Sequence, residues 1–252
     1  MNPAYPDHPA NHRPSAQALA GGKVLTVFSV AALELALKRA IVCFEQTSEW
    51  QVAMSFNTAP ELWAKARDAC RADVWIAPPL VLEQAAEWGL VGMHHPLAQV
   101  GVGVAVAQGQ VVPDISTLAA WQSAVRRASA VFYTQASSGQ YIHGLLASMG
   151  MLDEVRSKVH RFDNGEAMLL ALSQAGTSQG AMAMGAISEI HTFAQRGVAF
   201  VGPLPPVIAH QTIYALAMDL QSPRLGQAQR WVYLCQQVDV WGDVSRTGIE
   251  PL

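Results

Sequence analysis

Four short stretches place small hydroxyl or amide side chains where the residue pattern changes from strand to helix. They are Ser29, Asn57-Thr58, Ala136-Ser137-Ser138-Gly139 and Asp163-Asn164-Gly165. At such a turn the first backbone N–H groups of the helix lack intrahelical acceptors, and the helix dipole adds partial positive charge. The turn can therefore hold an anionic or strongly polar group without any Lys or Arg. Taken singly, each stretch is equally what an ordinary helix N-cap looks like. Four of them along one chain favour a ligand site more than any one does.

Other chemistries find little support. The chain has no G-x-x-x-x-G-K-[ST], no G-x-G-x-x-G opening a helix and no G-x-S-x-G elbow, so phosphate-loop, dinucleotide and serine-hydrolase readings fail and no cofactor is expected. His94-His95 precede Pro96 without H-x-x-x-H spacing or neighbouring acids, and read as loop histidines; no metal site is expected. His143, five residues after Ser138, is the best candidate for a titrating group near the turns. Asp153-Glu154 suit the start of a helix, and Met149, Met151, Met182 and Met184 suit the core and the wall of a cleft. Cys43, Cys70 and Cys235 are odd in number, without C-x-x-C spacing, and read as buried thiols.

The elements that must position these residues follow from periodicity. After a polar, Pro- and His-containing leader over 1–22, expected to be disordered, apolar strand runs alternate with helical patterns. Strands are expected at Lys23 to Ser29, Gln51 to Phe56, Ala72 to Ala77, Val100 to Ala107, Ala130 to Tyr133, Val159 to Phe162, Gly180 to Met184, Val198 to Val201 and Gln211 to Met218. Helices fall between them, and a long one over Leu225 to Val238 closes the chain. This rhythm predicts an α/β fold of mostly parallel sheets flanked by helices. It is divided into one lobe of 23–100 plus 212–252 and another of 101–211, with a ligand cleft between them.

Composition bounds the function. With 252 residues, 51% apolar and 14% charged, the chain can bury a sizeable core. A net charge of −3 without basic runs argues against nucleic acid as a partner. No apolar run approaches the ~18 residues of a membrane span, and the leader lacks the charged and apolar regions of a signal peptide. As written, the chain is expected in the cytoplasm, or in the periplasm if the start is misassigned.

The stretches ADVWIAPP (72–79), VGVGVAVAQGQVVPDIST (100–117), SSGQYIHGLLASMGMLDEV (138–155), ISEI (187–190), VGPLPP (201–206) and the terminal GIEP occur in an order that resembles the molybdate-type branch of the type 2 periplasmic solute-binding proteins. The resemblance covers Lys23 to Pro251. It implies a two-lobed fold that closes on a small ligand held by hydroxyls and backbone N–H groups, a monomer, and a membrane permease of an ABC transporter as partner. Carried over, the ligand-binding positions are Ser29, Ala32, Asn57, Thr58, Ser137, Ser138, Gly139, Tyr141, Asn164, Gly165 and Met184. Ala32 stands where molybdate binders begin the first helix with serine. Met184 aligns near a tyrosine that contacts the oxyanion, and Gly185-Ala186 replace a Gln-Gln pair. These departures point away from molybdate and toward a larger or less polar ligand, such as a small organic acid.

Two rivals share the fold. An isomerase of a small unsaturated carboxylic acid, resembling aconitate isomerase, would need a base such as His143, Asp163 or Glu189. The turns offer no arginine pair to clamp a tricarboxylate. The effector domain of a LysR-type regulator would need a helix-turn-helix, which 22 polar residues do not supply.

Overall fold

The structure, a computed structural model, describes residues 11–176 and 180–252. In it the chain forms two compact units. The first runs to Gln99 and resumes over Ile213–Ser245 and Glu250–Leu252, and the second holds Val100–Thr212 and Arg246–Ile249.

The first unit begins with α1 (Ala16–Ala20), β1 (Val24–Val30), a 3₁₀ turn (Ala31–Leu33) and α2 (Glu34–Gln46). Then come β2 (Gln51–Asn57), α3 (Ala59–Arg67), β3 (Val74–Ala77) and α4 (Pro79–Glu87). Strand β4 (His95–Ala107) carries the chain onward. It starts before the expected Val100, so His95 opens a strand.

The second unit continues with α5 (Leu118–Arg127), β5 (Val131–Thr134), α6 (Ser137–Ser148), α7 (Met151–Val155) and β6 (Val159–Phe162). It goes on through α8 (Gly165–Ala175), β7 (Met182–Ala186), α9 (Ile187–Thr192) and β8 (Val198–Pro203). Strand β9 (Gln211–Met218) returns the chain to the first unit, which adds α10 (Leu225–Cys235) and α11 (Val238–Trp241). The single closing helix expected over 225–238 is thus two helices, and a last strand, β10 (Ile249–Pro251), follows where none was expected.

The α/β class is as expected, with mixed strand directions. In the first unit β1 pairs in parallel with β2 and β3, and β9 joins β3 antiparallel. In the second, β5 pairs in parallel with both β6 and β7, while β4 lies antiparallel to β7 and β8. Strand β9 follows β8 through a short 3₁₀ turn with no helical crossover, so it is free to run against its neighbours.

Burial follows the periodic apolar positions. Phe44 and Trp231 pack edge to face, centroids 5.5 Å apart, in the first unit. The second unit's sheet is covered on one face by Trp121, Val125, Ile142 and Leu146, and on the other by Met168, Leu169, Leu172, Ile190 and Phe193. Helix α6 therefore covers one face and α8 and α9 the other. Arg246–Ile249, expected in the first lobe, instead belong with the second unit, where Gly101 N–H donates to the Gly248 carbonyl at 2.9 Å. Cys235 is buried, and burial pushes its thiol pKa up; Cys43 and Cys70 are half-buried.

The leader corrects the expectation of disorder over its described part. His12 exchanges both backbone hydrogen bonds with Met54 of β2, each 3.0 Å, and Phe56 N–H donates to the Asn11 side chain at 2.7 Å. His12 Nε2 lies 2.9 Å from Glu45. The polar residues that argued for disorder supply the donors and acceptors an open strand edge lacks. Residues 1–10 of the expected leader lie outside the described residues.

Candidate functional site

In each unit, parallel strands end together and helices start beyond them. Thr134 at the end of β5 pairs with Phe162 at the end of β6, and β7 lies on the other side of β5. The starts of α6, α8 and α9 therefore share one edge of the second unit. In the first unit Val30 pairs with Asn57, bringing the starts of the 3₁₀ turn and α3 together.

The four expected turns differ in how their N–H groups are satisfied. Thr58 forms a capping box: its hydroxyl accepts from Glu61 N–H at 3.4 Å and its own N–H donates to the Glu61 carboxylate at 2.6 Å. The Thr-x-x-Glu spacing of residues 58–61 announces this in the sequence. Asn57 donates to the carbonyls of Ser55 at 2.7 Å and Ser29 at 3.4 Å, tying β2 to β1. Ser29 lies within β1, wholly buried, and its hydroxyl donates to the Val30 carbonyl at 3.2 Å. Ala32 is buried in the 3₁₀ turn, which has no side-chain cap.

In the second unit Asn164 caps α8, accepting from Ala167 N–H at 2.8 Å. Gly165 is occupied differently. A Cβ built there would lie 2.6 Å from Oε1 and 3.0 Å from Oε2 of Glu189, so the carboxylate fills the space a side chain would take. Asp163 accepts from the Gln135 amide at 3.0 Å.

The start of α6 stands apart. Its N-cap, Ala136, offers no side-chain acceptor, and its first turn contains no acid. Among the described residues the N–H groups of Ser137, Ser138 and Gly139 find no acceptor. The Ser138 hydroxyl makes no hydrogen bond among those residues either, although the residue is only 5% exposed. The turn is held rigidly: the Thr134 hydroxyl accepts from Ala136 N–H at 3.2 Å, and Gln135 N–H donates to the Phe162 carbonyl at 2.8 Å. Gly139 is required by close approach, because a Cβ there would lie 1.9 Å from the Thr134 carbonyl oxygen. An uncapped helix start with three unsatisfied N–H groups and a neighbouring hydroxyl can donate hydrogen bonds to one anionic group.

The remaining expected residues serve packing. Tyr141 donates to the Ile208 carbonyl at 2.9 Å, and burial pushes its phenol pKa up. His143 Nδ1 lies 3.0 Å from the Tyr133 hydroxyl. Met184 is wholly buried in the core on the α6 face of the sheet. Sequence reasoning missed Thr134 and Gln135, which shape the α6 turn, and the Glu189–Gly165 contact.

Residues 25–234 match the profile of a family described as bacterial extracellular solute-binding proteins. Among solved structures the fold is similar to the sulfate-binding protein SubI of Mycobacterium tuberculosis H37Rv, with a TM-score of 0.71 and 16% identity over 91% of this chain and 87% of that one. It is also similar to the periplasmic molybdate-binding protein of Azotobacter vinelandii, with a TM-score of 0.69 and 11% identity over 90% of this chain and 98% of that one. At these identities the likeness is one of fold. Aconitate isomerase of a Pseudomonas species is 23% identical over 156 residues, 62% of this chain and 58% of that protein. The match thus spans little more than half of the isomerase. Among the described residues no helix is long and apolar enough to cross a membrane.

Proposed function

Because this chain belongs to the bacterial extracellular solute-binding proteins, we propose that it captures a small anionic ligand at the start of α6 for an ABC-type permease. On this reading it works outside the cytoplasmic membrane, which the description of its family as extracellular supports. The observation that carries the site is the uncapped α6 turn with the Ser138 hydroxyl, which finds no partner among the described residues on a residue only 5% exposed. In this reading the three N–H groups and the hydroxyl donate to one anionic group, whose charge the helix dipole favours. An anionic end of an oxyanion or a small organic acid fits this donor set.

Ser138→Ala tests the reading. Removing a hydrogen bond to a charged ligand group should weaken binding by about 1.5–3 kcal/mol, roughly 10- to 150-fold. Calorimetric titration against a panel of oxyanions and di- and tricarboxylates should show that loss, with the melting temperature of the empty protein nearly unchanged. An affinity that survives the substitution would remove Ser138 from the site.

Binding without turnover is the reading the three candidate bases support. His143 is engaged by Tyr133, Asp163 by Gln135, and Glu189 lies against Gly165. Incubation with cis- or trans-aconitate should leave either isomer unchanged; conversion at an enzymatic rate would restore the isomerase.

A further inference from the structure

A pocket of about 350 Å³ opens in the first unit, a volume at the low end of what small-molecule sites occupy. It shares no residue with the α6 turn. Two arginines line it: Arg71, from the loop before β3, and Arg224, at the start of α10. We propose that this pocket is a separate site for a small organic acid with two or more carboxylates, two of which are met by one guanidinium each.

The carboxylates of the pocket itself are engaged by the protein. Asp73 is buried and accepts from Thr26 N–H at 2.7 Å, from the Ser222 hydroxyl at 2.5 Å and from Arg224 Nη1 at 3.5 Å. Asp219 is buried too, and accepts from Gln221 N–H at 2.8 Å and from Arg71 Nη2 at 2.7 Å. Arg71 also donates to the Gln221 side-chain oxygen at 3.2 Å. Donors are what remain. Among the described residues the Thr26 hydroxyl, the Gln221 amide nitrogen, and Nε and Nη2 of Arg224 find no acceptor. A ligand that fills such a lining must accept hydrogen bonds.

The charges agree with the donors. Asp73 and Asp219 balance the two guanidiniums and hold them in place. Helix α10 then tips the balance, because its first turn holds no acid and its N-cap, Arg224, supplies no side-chain acceptor. The positive end of its dipole adjoins the pocket. A guanidinium fork matches the two oxygens of a carboxylate, so two forks on one pocket favour an anion with carboxylates at two points.

Amide NMR spectra of the full chain carrying Ser138→Ala, which weakens the α6 site, test this against citrate, succinate, acetate and sulfate. Citrate and succinate should shift the Thr26, Asp73 and Gln221 amides and bind about 10-fold or more tightly than acetate. Thr26→Val and Arg224→Gln should each weaken citrate about 10-fold. Thr26→Val exchanges a hydroxyl without a partner among the described residues for a methyl group, and decides the matter if the Arg224 variant does not fold. Acetate bound as tightly as citrate, or sulfate shifting these amides as strongly, overturns the choice of a polycarboxylate. Amides that do not move, or a citrate affinity untouched by either substitution, would show that the two ion pairs only fasten the chain.

Discussion

The imidazole of His210 lies flat on the ring of Tyr141, centroids 4.0 Å apart and planes 8° from parallel. This contact joins α6 to the segment leading into β9, and the Tyr141 hydroxyl reinforces it by donating to the Ile208 carbonyl. Burial lowers the pKa of His210, and that of His191 in α9. The unfolded chain protonates these rings near pH 6.5, the folded one only below it. Stability from the neutral rings is therefore present above about pH 6.5 and lost as pH falls toward the folded-state values. Melting temperatures across about pH 5 to 8 should decline on the acid side. His210→Phe keeps the stack and should flatten the decline; an identical profile would place the titration elsewhere.

Thr58 and Ser138 both begin helices, yet their roles separate. Thr58 is engaged in its capping box with Glu61. Thr58→Ala should lower stability by about 1 kcal/mol and leave ligand affinity alone. Ser138→Ala should do the reverse. Denaturant unfolding and titration of both variants decide this, and matching behaviour in the two would erase the distinction.

Gly139 seats α6 on the end of β5. A methyl group there must push against the Thr134 backbone, since its Cβ would lie 1.9 Å from the carbonyl oxygen. Gly139→Ala should destabilise the protein by about 1–3 kcal/mol and weaken ligand binding by displacing the turn. Wild-type stability in this variant would show that α6 is less tightly seated than its contacts indicate.

The leader closes the edge of β2. Deleting residues 1–14 removes the Asn11 and His12 bonds to Phe56 and Met54 and the His12–Glu45 contact. Hydrogen exchange at the Met54 and Phe56 amides should accelerate in the shortened chain. Unchanged protection of both amides would mean that the edge needs no cover.

Much of this protein is legible in its sequence because hydrophobic spacing acts locally. The run Val24–Val30 and the recurrence Leu37, Ile41, Phe44 mark β1 and α2, since alternate and fourfold periods follow directly from backbone geometry. The Ser-Ser-Gly turn at 137–139 is legible for the same reason, and so is the Thr58–Glu61 box, which spans a single helical turn. Strand direction was decided only in the tertiary structure: β9 runs antiparallel to β3, and nothing in its own residues sets that sign. Which turns remain open to a ligand was decided there too. Glu189 reaches Gly165, and His210 covers Tyr141, only once β7 lies beside β5 and the chain returns along β9. Local residue types determine which N–H groups a helix start exposes; distant side chains brought in by packing determine which of them stay unsatisfied.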